Sequence, residues 1–141
     1  MRFGAKFDYV DAQNKTILEY AVYHLNADLV EEALIAKSDV SKKDLDGNTL
    51  ILQLADAVSE NKDMPSEELV SAVEKIVVLL TSAGLDINAQ NINGETLLIR
   101  LAKLPTAHYE ALAEMLLTHE LNPELKDQYD HTADYYLPKT K

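Results

Sequence analysis

The sequence predicts an all-α fold, a solenoid of stacked helix-turn-helix units from which β-hairpin turns project. One turn pattern, Asp or Asn followed by Gly, Asn or Asp three residues on and by Thr two further, begins at residues 11, 44, 91 and 127. The intervals between these turns are therefore 33, 47 and 36 residues. After each of the first three turns, apolar residues recur every three or four positions, the period of a half-buried helix. A unit repeated at this interval indicates a stacked array.

Length and composition restrict what else the chain can be. With 141 residues it has the size of one domain, which can bury a core without disulfides or metal. It contains no Cys, which excludes disulfides, cysteine-ligated zinc and a cysteine nucleophile. The net charge of −11, with scattered basic residues, predicts that it binds neither nucleic acid nor an anionic membrane. No secretory signal or membrane span is predicted, so we expect a monomeric protein of the cytoplasm.

Within each unit, residue type predicts the turn and the helix start. Gly47 and Gly94 permit a positive φ, and Asn14 and Asp130 are the residue types that best tolerate it. The Thr that ends each pattern fits a helix N-cap, where its hydroxyl accepts a hydrogen bond from a free backbone N–H. These caps are Thr16, Thr49, Thr96 and Thr132. The predicted segments are an N-terminal cap segment (1–10), repeat 1 (11–43), repeat 2 (44–90), repeat 3 (91–126) and a partial C-terminal capping repeat (127–141).

Two helices are expected in each full unit, an inner one directly after Thr and an outer one after a short connection. The apolar stripes of the outer helices are Leu29, Val30, Ala33 and Leu34, then Leu69, Val73, Ile76, Val77 and Leu80, then Leu112, Met115 and Leu116. Repeat 2 is 14 residues longer than repeat 1, and we place its insertion near 59–75, in a polar and turn-like stretch. Its outer helix is predicted to begin at Ser66. Tyr135, Tyr136 and Leu137 are expected to cover the last full repeat.

Three stretches resemble the ankyrin repeat, a unit of about 33 residues. Residues 76–91 read Ile-Val-Val-Leu-Leu-Thr-Ser-Ala-Gly-Leu-Asp-Ile-Asn-Ala-Gln-Asn, which is similar to the second half of that unit. Residues 44–49 and 91–96 are similar to its first half, Asp-x-x-Gly-x-Thr. The likeness covers about residues 11–137. It implies a non-enzymatic protein that binds a protein partner, without a cofactor, through the concave face of the array and its turn tips.

The resemblance also implies which residues form the contact surface. The matching positions are Gln13, Lys15, Tyr23 and His24 in repeat 1, then Leu45, Asp46, Asn48 and Asp56 in repeat 2, then Ile92, Asn93, Glu95 and Lys103 in repeat 3, then Gln128, Tyr129 and His131 in the last. Leu45 and Ile92 are the most informative, because an apolar residue at a turn tip has little core to join. Either each is an exposed anchor, or each packs against its neighbouring turn.

No pattern for catalysis, metal binding or phosphate binding is complete. Asp44 to Gly47 begins like a calcium-binding EF-hand loop, but placing the Gly sixth makes Lys42 the first ligand. With 4 Gly in total, a phosphate-binding loop is excluded. The four His lack metal-ligand spacing and are expected on the solvated surface. We therefore predict no enzymatic activity, no metal and no cofactor.

Three other functions are compatible with the sequence. One is a small enzyme or ligand-binding protein that uses the insertion near residues 61–66, and an enclosed pocket there would favour it. Another is a secreted bacterial effector or adaptor built on the same contact surface. The third, an acidic mimic of nucleic acid, rests on net charge alone, and the charges are mixed along the chain rather than grouped.

We predict that this array is less stable than a consensus ankyrin array. The family's Pro after Thr is replaced by Ile17, Leu50 and Leu97, so no ring presets φ at the first helical residue. The family's His is replaced by Glu19, Leu52 and Ile99, which removes the hydrogen bonds it makes between repeats. Thermal unfolding followed by circular dichroism should give a Tm below about 90 °C. A higher midpoint would contradict this expectation.

Overall fold

Six α-helices and one short 3-10 helix make up the secondary structure of the computed structural model, which describes residues 16–104 and 108–137. The helices are α1 (Ile17–Tyr23), α2 (Ala27–Ile35), α3 (Leu50–Glu60), α4 (Ser66–Ser82), α5 (Leu97–Ala102), α6 (Tyr109–Leu117) and the 3-10 helix (Ala133–Tyr136). The predicted all-α class is confirmed for these residues, which contain no β-strand. None of their helices has both the length and the apolar character that crossing a bilayer requires.

Threonine caps start the first helix of each pair, as the sequence predicts. Thr16, Thr49 and Thr96 precede α1, α3 and α5, and each hydroxyl accepts a hydrogen bond from the backbone N–H three residues on, at 3.0, 3.5 and 3.2 Å. At α1 the side chain of Glu19 completes a capping box by accepting from the Thr16 N–H at 3.0 Å. Thr132 precedes the 3-10 helix but makes no such side-chain bond.

The helices form pairs, and the pairs pack side by side. α1 contacts α2, α3 contacts α4 and α5 contacts α6. Between pairs, α1 contacts α3, α3 contacts α5 and α5 contacts the 3-10 helix, while α2 contacts α4 and α4 contacts α6. One cluster of buried apolar side chains includes residues of all seven elements. The core therefore lies between an inner row of helices, α1, α3 and α5, and an outer row, α2, α4 and α6.

Each outer helix ends in the same way. Lys37, Gly84 and Glu120 have φ values of 66°, 106° and 72°, the left-handed region. The N–H of the next residue reaches back to the carbonyl five residues earlier, at 3.0, 3.1 and 3.4 Å, which satisfies helix carbonyls that would otherwise lack a donor. Of these three helix ends, only the one at Gly84 has a Gly, the residue type from which this conformation can be predicted. Lys37 and Glu120 adopt it at a cost of about 1 kcal/mol each.

Most of the extra length of repeat 2 lies in helices. α3 has 11 residues, against 7 in α1 and 6 in α5, and α4 has 17, against 9 in α2 and in α6. The predicted start of α4 at Ser66 is confirmed. Within the insertion placed near 59–75, the polar turn occupies residues 61–65, and the other residues belong to α3 and α4. The apolar stripe of α4 can be extended by whole turns that stay packed on the core.

The three described turns contain no β-strand, so the predicted β-hairpins are not confirmed. In three turns the backbone N–H of the first residue, Asp44, Asn91 or Asp127, donates to the carbonyl four residues on, at 3.1, 3.0 and 3.0 Å. The next residue is already the Thr that precedes the following helix. No residues remain between the closing bond and the helix to extend a strand ladder.

Gly94 should be the least tolerant of these turn positions. Its φ is +76°, and a Cβ there would lie 2.9 Å from the Gln128 nitrogen and 3.0 Å from the Asp127 carbonyl carbon. Gly94→Ala should lower the free energy of unfolding by about 2–4 kcal/mol, the sum of backbone strain and overpacking against backbone that cannot rotate away. Urea unfolding measures this change.

Asp130 is the matched control for Gly94. It occupies the equivalent place in the last turn with a φ of 68°. Asp130→Gly should change stability by no more than about 1 kcal/mol, because the relief of backbone strain is offset by the larger conformational entropy of the unfolded chain. The exposed ion pair with Lys126 that it removes contributes little. Equal effects of Gly94→Ala and Asp130→Gly would refute the close approach between turns.

Candidate functional site

A single side-chain oxygen organises each of the three described turns. One oxygen of Asp44, of Asn91 and of Asp127 accepts backbone hydrogen bonds from the residues two and four positions on, all between 2.9 and 3.1 Å. Asx side chains are suited to this role because their short chain reaches the nearby backbone. The fourth residue of each turn, Gly47, Gly94 or Asp130, has a positive φ. The two residues between are therefore held outward.

Adjacent turns are joined in register. The Ile92 N–H donates to the carbonyl of Asp46 at 3.0 Å, and the Gln128 N–H donates to the carbonyl of Asn93 at 2.8 Å. The side-chain amides add a second link, because Asn91 donates to the side-chain oxygen of Asn48 at 2.9 Å. Asn48 is only 2% exposed. Its predicted place on the contact surface is therefore wrong, and its role is to hold two turns together.

The tips of the turns carry large side chains that contribute nothing to the core. Leu45 is 100%, Ile92 69% and Tyr129 65% exposed. The Ile92 side chain rests beside the backbone of Gly47, which explains why it is covered slightly more than Leu45. Asp46 beside them is also exposed. Leu45 is therefore fully exposed, whereas Ile92 is mostly exposed and also packs against the neighbouring turn.

The exposed side of α1 and α3 forms a groove of about 520 Å³. Its described lining is Glu19, Tyr20, Tyr23, Gln53, Asp56, Ser59 and Glu60. The Tyr23 hydroxyl donates to Glu60 at 2.9 Å, and this bond to a carboxylate raises the pKa of Tyr23 above its ordinary value. Tyr23 and Asp56 are predicted site residues. The sequence marks Tyr20 only as either a binding-surface or a half-buried residue, and it gives no indication of Glu19 and Glu60. The available signal was that these positions share the exposed faces of neighbouring inner helices.

Three of the predicted charged residues, Asp56, Glu95 and Lys103, form ion pairs within the chain. Arg100 donates to Asp56 at 3.1 Å and to the Leu52 carbonyl at 2.8 Å, which ties α5 to α3. Lys103 forms an ion pair with Glu95. Burial acts to raise the pKa of Glu95, but hydrogen bonds from Lys103 and Asn91 outweigh it and the pKa is lowered.

An aromatic cluster surrounds the last turn. The rings of His131 and Tyr135 stack with centroids 3.5 Å apart, and the Lys103 ammonium lies 4.9 Å from the centre of the Tyr136 ring. The Tyr136 hydroxyl donates to Asp127, which raises the pKa of Tyr136 to about 12. Tyr136 and Leu137 pack on the core as predicted, whereas Tyr135 is exposed.

The remaining predicted residues divide into two groups. His24 is exposed at the end of α1, where its ring stacks with Tyr20 and meets the edge of Tyr23. Gln13, Lys15 and the cap segment 1–10 lie outside the described residues.

His108 corrects the expectation that all four His are solvated. It is only 8% exposed. Its Nε2 lies 2.8 Å from the Lys62 carbonyl, which can only accept, so Nε2 carries a proton and donates it to this bond. Its Nδ1 shares a hydrogen bond of 2.5 Å with the Ser66 hydroxyl. The side chain thus fastens the 61–65 connection to the start of α6. No group of three or more acidic or His side chains among the described residues is arranged to hold a metal ion.

Comparison with known proteins adds no identification: no protein-family model matches the sequence, and no curated protein matches it either.

Asp127 should make the protein sensitive to acid. Burial acts to raise its pKa, but hydrogen bonds from Tyr136, His131 and Tyr129 outweigh it, so the folded pKa lies below the usual 3.8. The stabilisation is therefore complete above about pH 5 and is lost as the pH falls through the folded pKa. Asp127→Asn should have a lower free energy of unfolding than wild type at neutral pH, and the two free energies should approach each other toward about pH 2.5. Urea unfolding across this range measures it, and a difference independent of pH would refute the assignment. Asn91 occupies the equivalent place without charge, so the turn itself should persist.

Proposed function

We propose that this chain is an ankyrin-repeat solenoid of the cytoplasm that acts as a non-enzymatic protein-binding module. Its contact surface consists of the turn tips and the exposed side of the inner helices. The observation that carries the proposal is the exposure of Leu45 and Ile92 at equivalent positions of two hydrogen-bonded turns. A large apolar side chain that a rigid turn holds in solvent contributes little to folding. We therefore assign these two side chains a role in recognition.

Three repeated features support the solenoid part of the proposal. The turns share one pattern of side-chain and backbone hydrogen bonds. The helices form an inner and an outer row in chain order. The outer helices share a left-handed exit at Lys37, Gly84 and Glu120. In such an array each unit packs only against its neighbours, and the inner row with its turns presents an extended concave face.

The composition of the tips supports a protein partner. Leu45 and Ile92 sit among polar neighbours such as Asp46 and Asn93, which resembles an apolar anchor with a polar rim. Fully covering one such side chain contributes about 1.5–3 kcal/mol. The net charge of −11 favours a partner with a basic surface, because long-range attraction raises the rate of encounter.

A double substitution at the tips tests this proposal. Leu45→Arg/Ile92→Arg should reduce the recovery of partner proteins from the native cell lysate at least tenfold relative to wild type. The variant loses two apolar anchors and places two positive charges against a basic partner. A loss of about 1.4 kcal/mol in binding free energy is enough for a tenfold reduction. Quantitative mass spectrometry of the captured proteins gives the ratio.

Ile35→Arg/Val78→Arg is the matched control, since it places the same charges at exposed apolar positions of α2 and α4. It should retain its partners. Equal recovery by the wild type and the tip variant, with both folded by circular dichroism, would refute the proposed surface.

A further inference from the structure

Glu19 is the most unusual polar residue among the described ones. It is only 3% exposed. Its Oε1 accepts hydrogen bonds from the Thr16 N–H at 3.0 Å and from the Lys42 ammonium at 3.2 Å. Its Oε2 is buried without a hydrogen-bond partner. A buried carboxylate oxygen that lacks a donor is costly, so such an atom is rare in a folded protein and requires an explanation.

The surroundings of Glu19 indicate the chemistry of a missing donor. Glu19 lines the groove between α1 and α3, together with the carboxylates of Asp56 and Glu60 and the rings of Tyr20 and Tyr23. Both rings are partly exposed. Carboxylates accept hydrogen bonds from cations, and the faces of aromatic rings attract them. A groove with both features is suited to a positively charged group.

The charges around the groove are only partly balanced. Lys42 pairs with Glu19, and Arg100 pairs with Asp56. Glu60 forms no ion pair with a described residue and accepts a hydrogen bond from the neutral hydroxyl of Tyr23. Among the described residues, one negative charge of the groove lining therefore remains without an ion-pair partner.

We infer that this groove binds the side chain of an arginine supplied by the protein partner. The inference rests on the proposed function, since the groove lies on the inner row of helices. The guanidinium is a planar fork of donors with two aromatic-like faces, which suits a groove whose lining offers the carboxylates of Glu19 and Glu60 and the rings of two tyrosines. The ammonium of lysine has no such plane. The volume of about 520 Å³ exceeds that of one side chain and leaves room for the adjoining peptide.

A peptide titration of the full-length chain tests the inference. The probes are a capped Gly-Gly-Arg-Gly-Gly peptide and the same peptide with citrulline, which is nearly isosteric and uncharged. In ¹H–¹⁵N spectra the arginine peptide should give saturable shifts in amides of α1 and α3. The citrulline peptide should bind at least about tenfold more weakly, because it loses the charge-assisted hydrogen bonds.

Three variants locate the binding. Both Glu19→Gln and Glu60→Gln should fold, because the first retains an acceptor for the Thr16 N–H and the second changes an exposed residue. Each should lower the affinity for the arginine peptide at least about fivefold. Glu114→Gln, on the exposed side of α6, should leave its affinity unchanged. If Glu19→Gln unfolds, as its melting curve would reveal, Glu60→Gln decides. Equal binding of the two peptides, shifts elsewhere, or no effect of the groove variants would overturn the inference.

The outcomes are distinguishable from those for the proposed function. If the arginine peptide does not bind but the substitutions at Leu45 and Ile92 abolish partner recovery, the proposed tip surface is supported and the arginine site is refuted. If the peptide binds at the groove and the substitutions at Leu45 and Ile92 leave partner recovery unchanged, the arginine site is supported and the proposed tip surface is refuted.

Discussion

The hydrogen bonds that one Asx side-chain oxygen accepts from two backbone N–H groups hold each of the three described turns in place. Asp44, Asn91 and Asp127 each satisfy two donors that the short turn cannot satisfy with backbone carbonyls. Once the turn is fixed, Thr stands at the correct place to begin the next helix. The fixed turn also directs one N–H toward the carbonyl of the preceding turn, as at Ile92 and Gln128. A local side-chain bond thereby sets the spacing of neighbouring units.

Because these links are few, apolar contacts must provide most of the cohesion between units. Leu52 and Ile99, where the ankyrin family has its His, are buried almost completely in the helix cluster. Between α3 and α5, a polar link is added by Arg100, which reaches the Leu52 carbonyl and Asp56. The turn tips have no part in this packing. Their side chains can change without loss of core, which is the physical condition for a surface that evolves toward a partner.

Much of the fold could be predicted from local patterns, because its causes are local. The caps at Thr16, Thr49 and Thr96, the start of α4 and the all-α class depend on residues within one turn of helix. Burial of His108 could not be predicted, because its partner Ser66 lies 42 residues away. Asn48 was misassigned for the same reason, since its second partner, Asn91, belongs to the next turn. The left-handed conformations at Lys37 and Glu120 could not be predicted either, because neither position has a Gly.

Glu19 illustrates how one residue can serve folding and recognition at different atoms. Its Oε1 completes the capping box of α1, a local role that favours Glu or Gln at this position. A Gln would serve the cap equally well and would bury no charge. The carboxylate also forms an ion pair with Lys42 through Oε1, whereas its Oε2 lies buried without a donor in a residue that lines the same groove as Tyr20 and Tyr23. A buried oxygen without a donor costs stability, and a ligand that supplies the donor would compensate this cost. A cationic group from a partner meets that requirement.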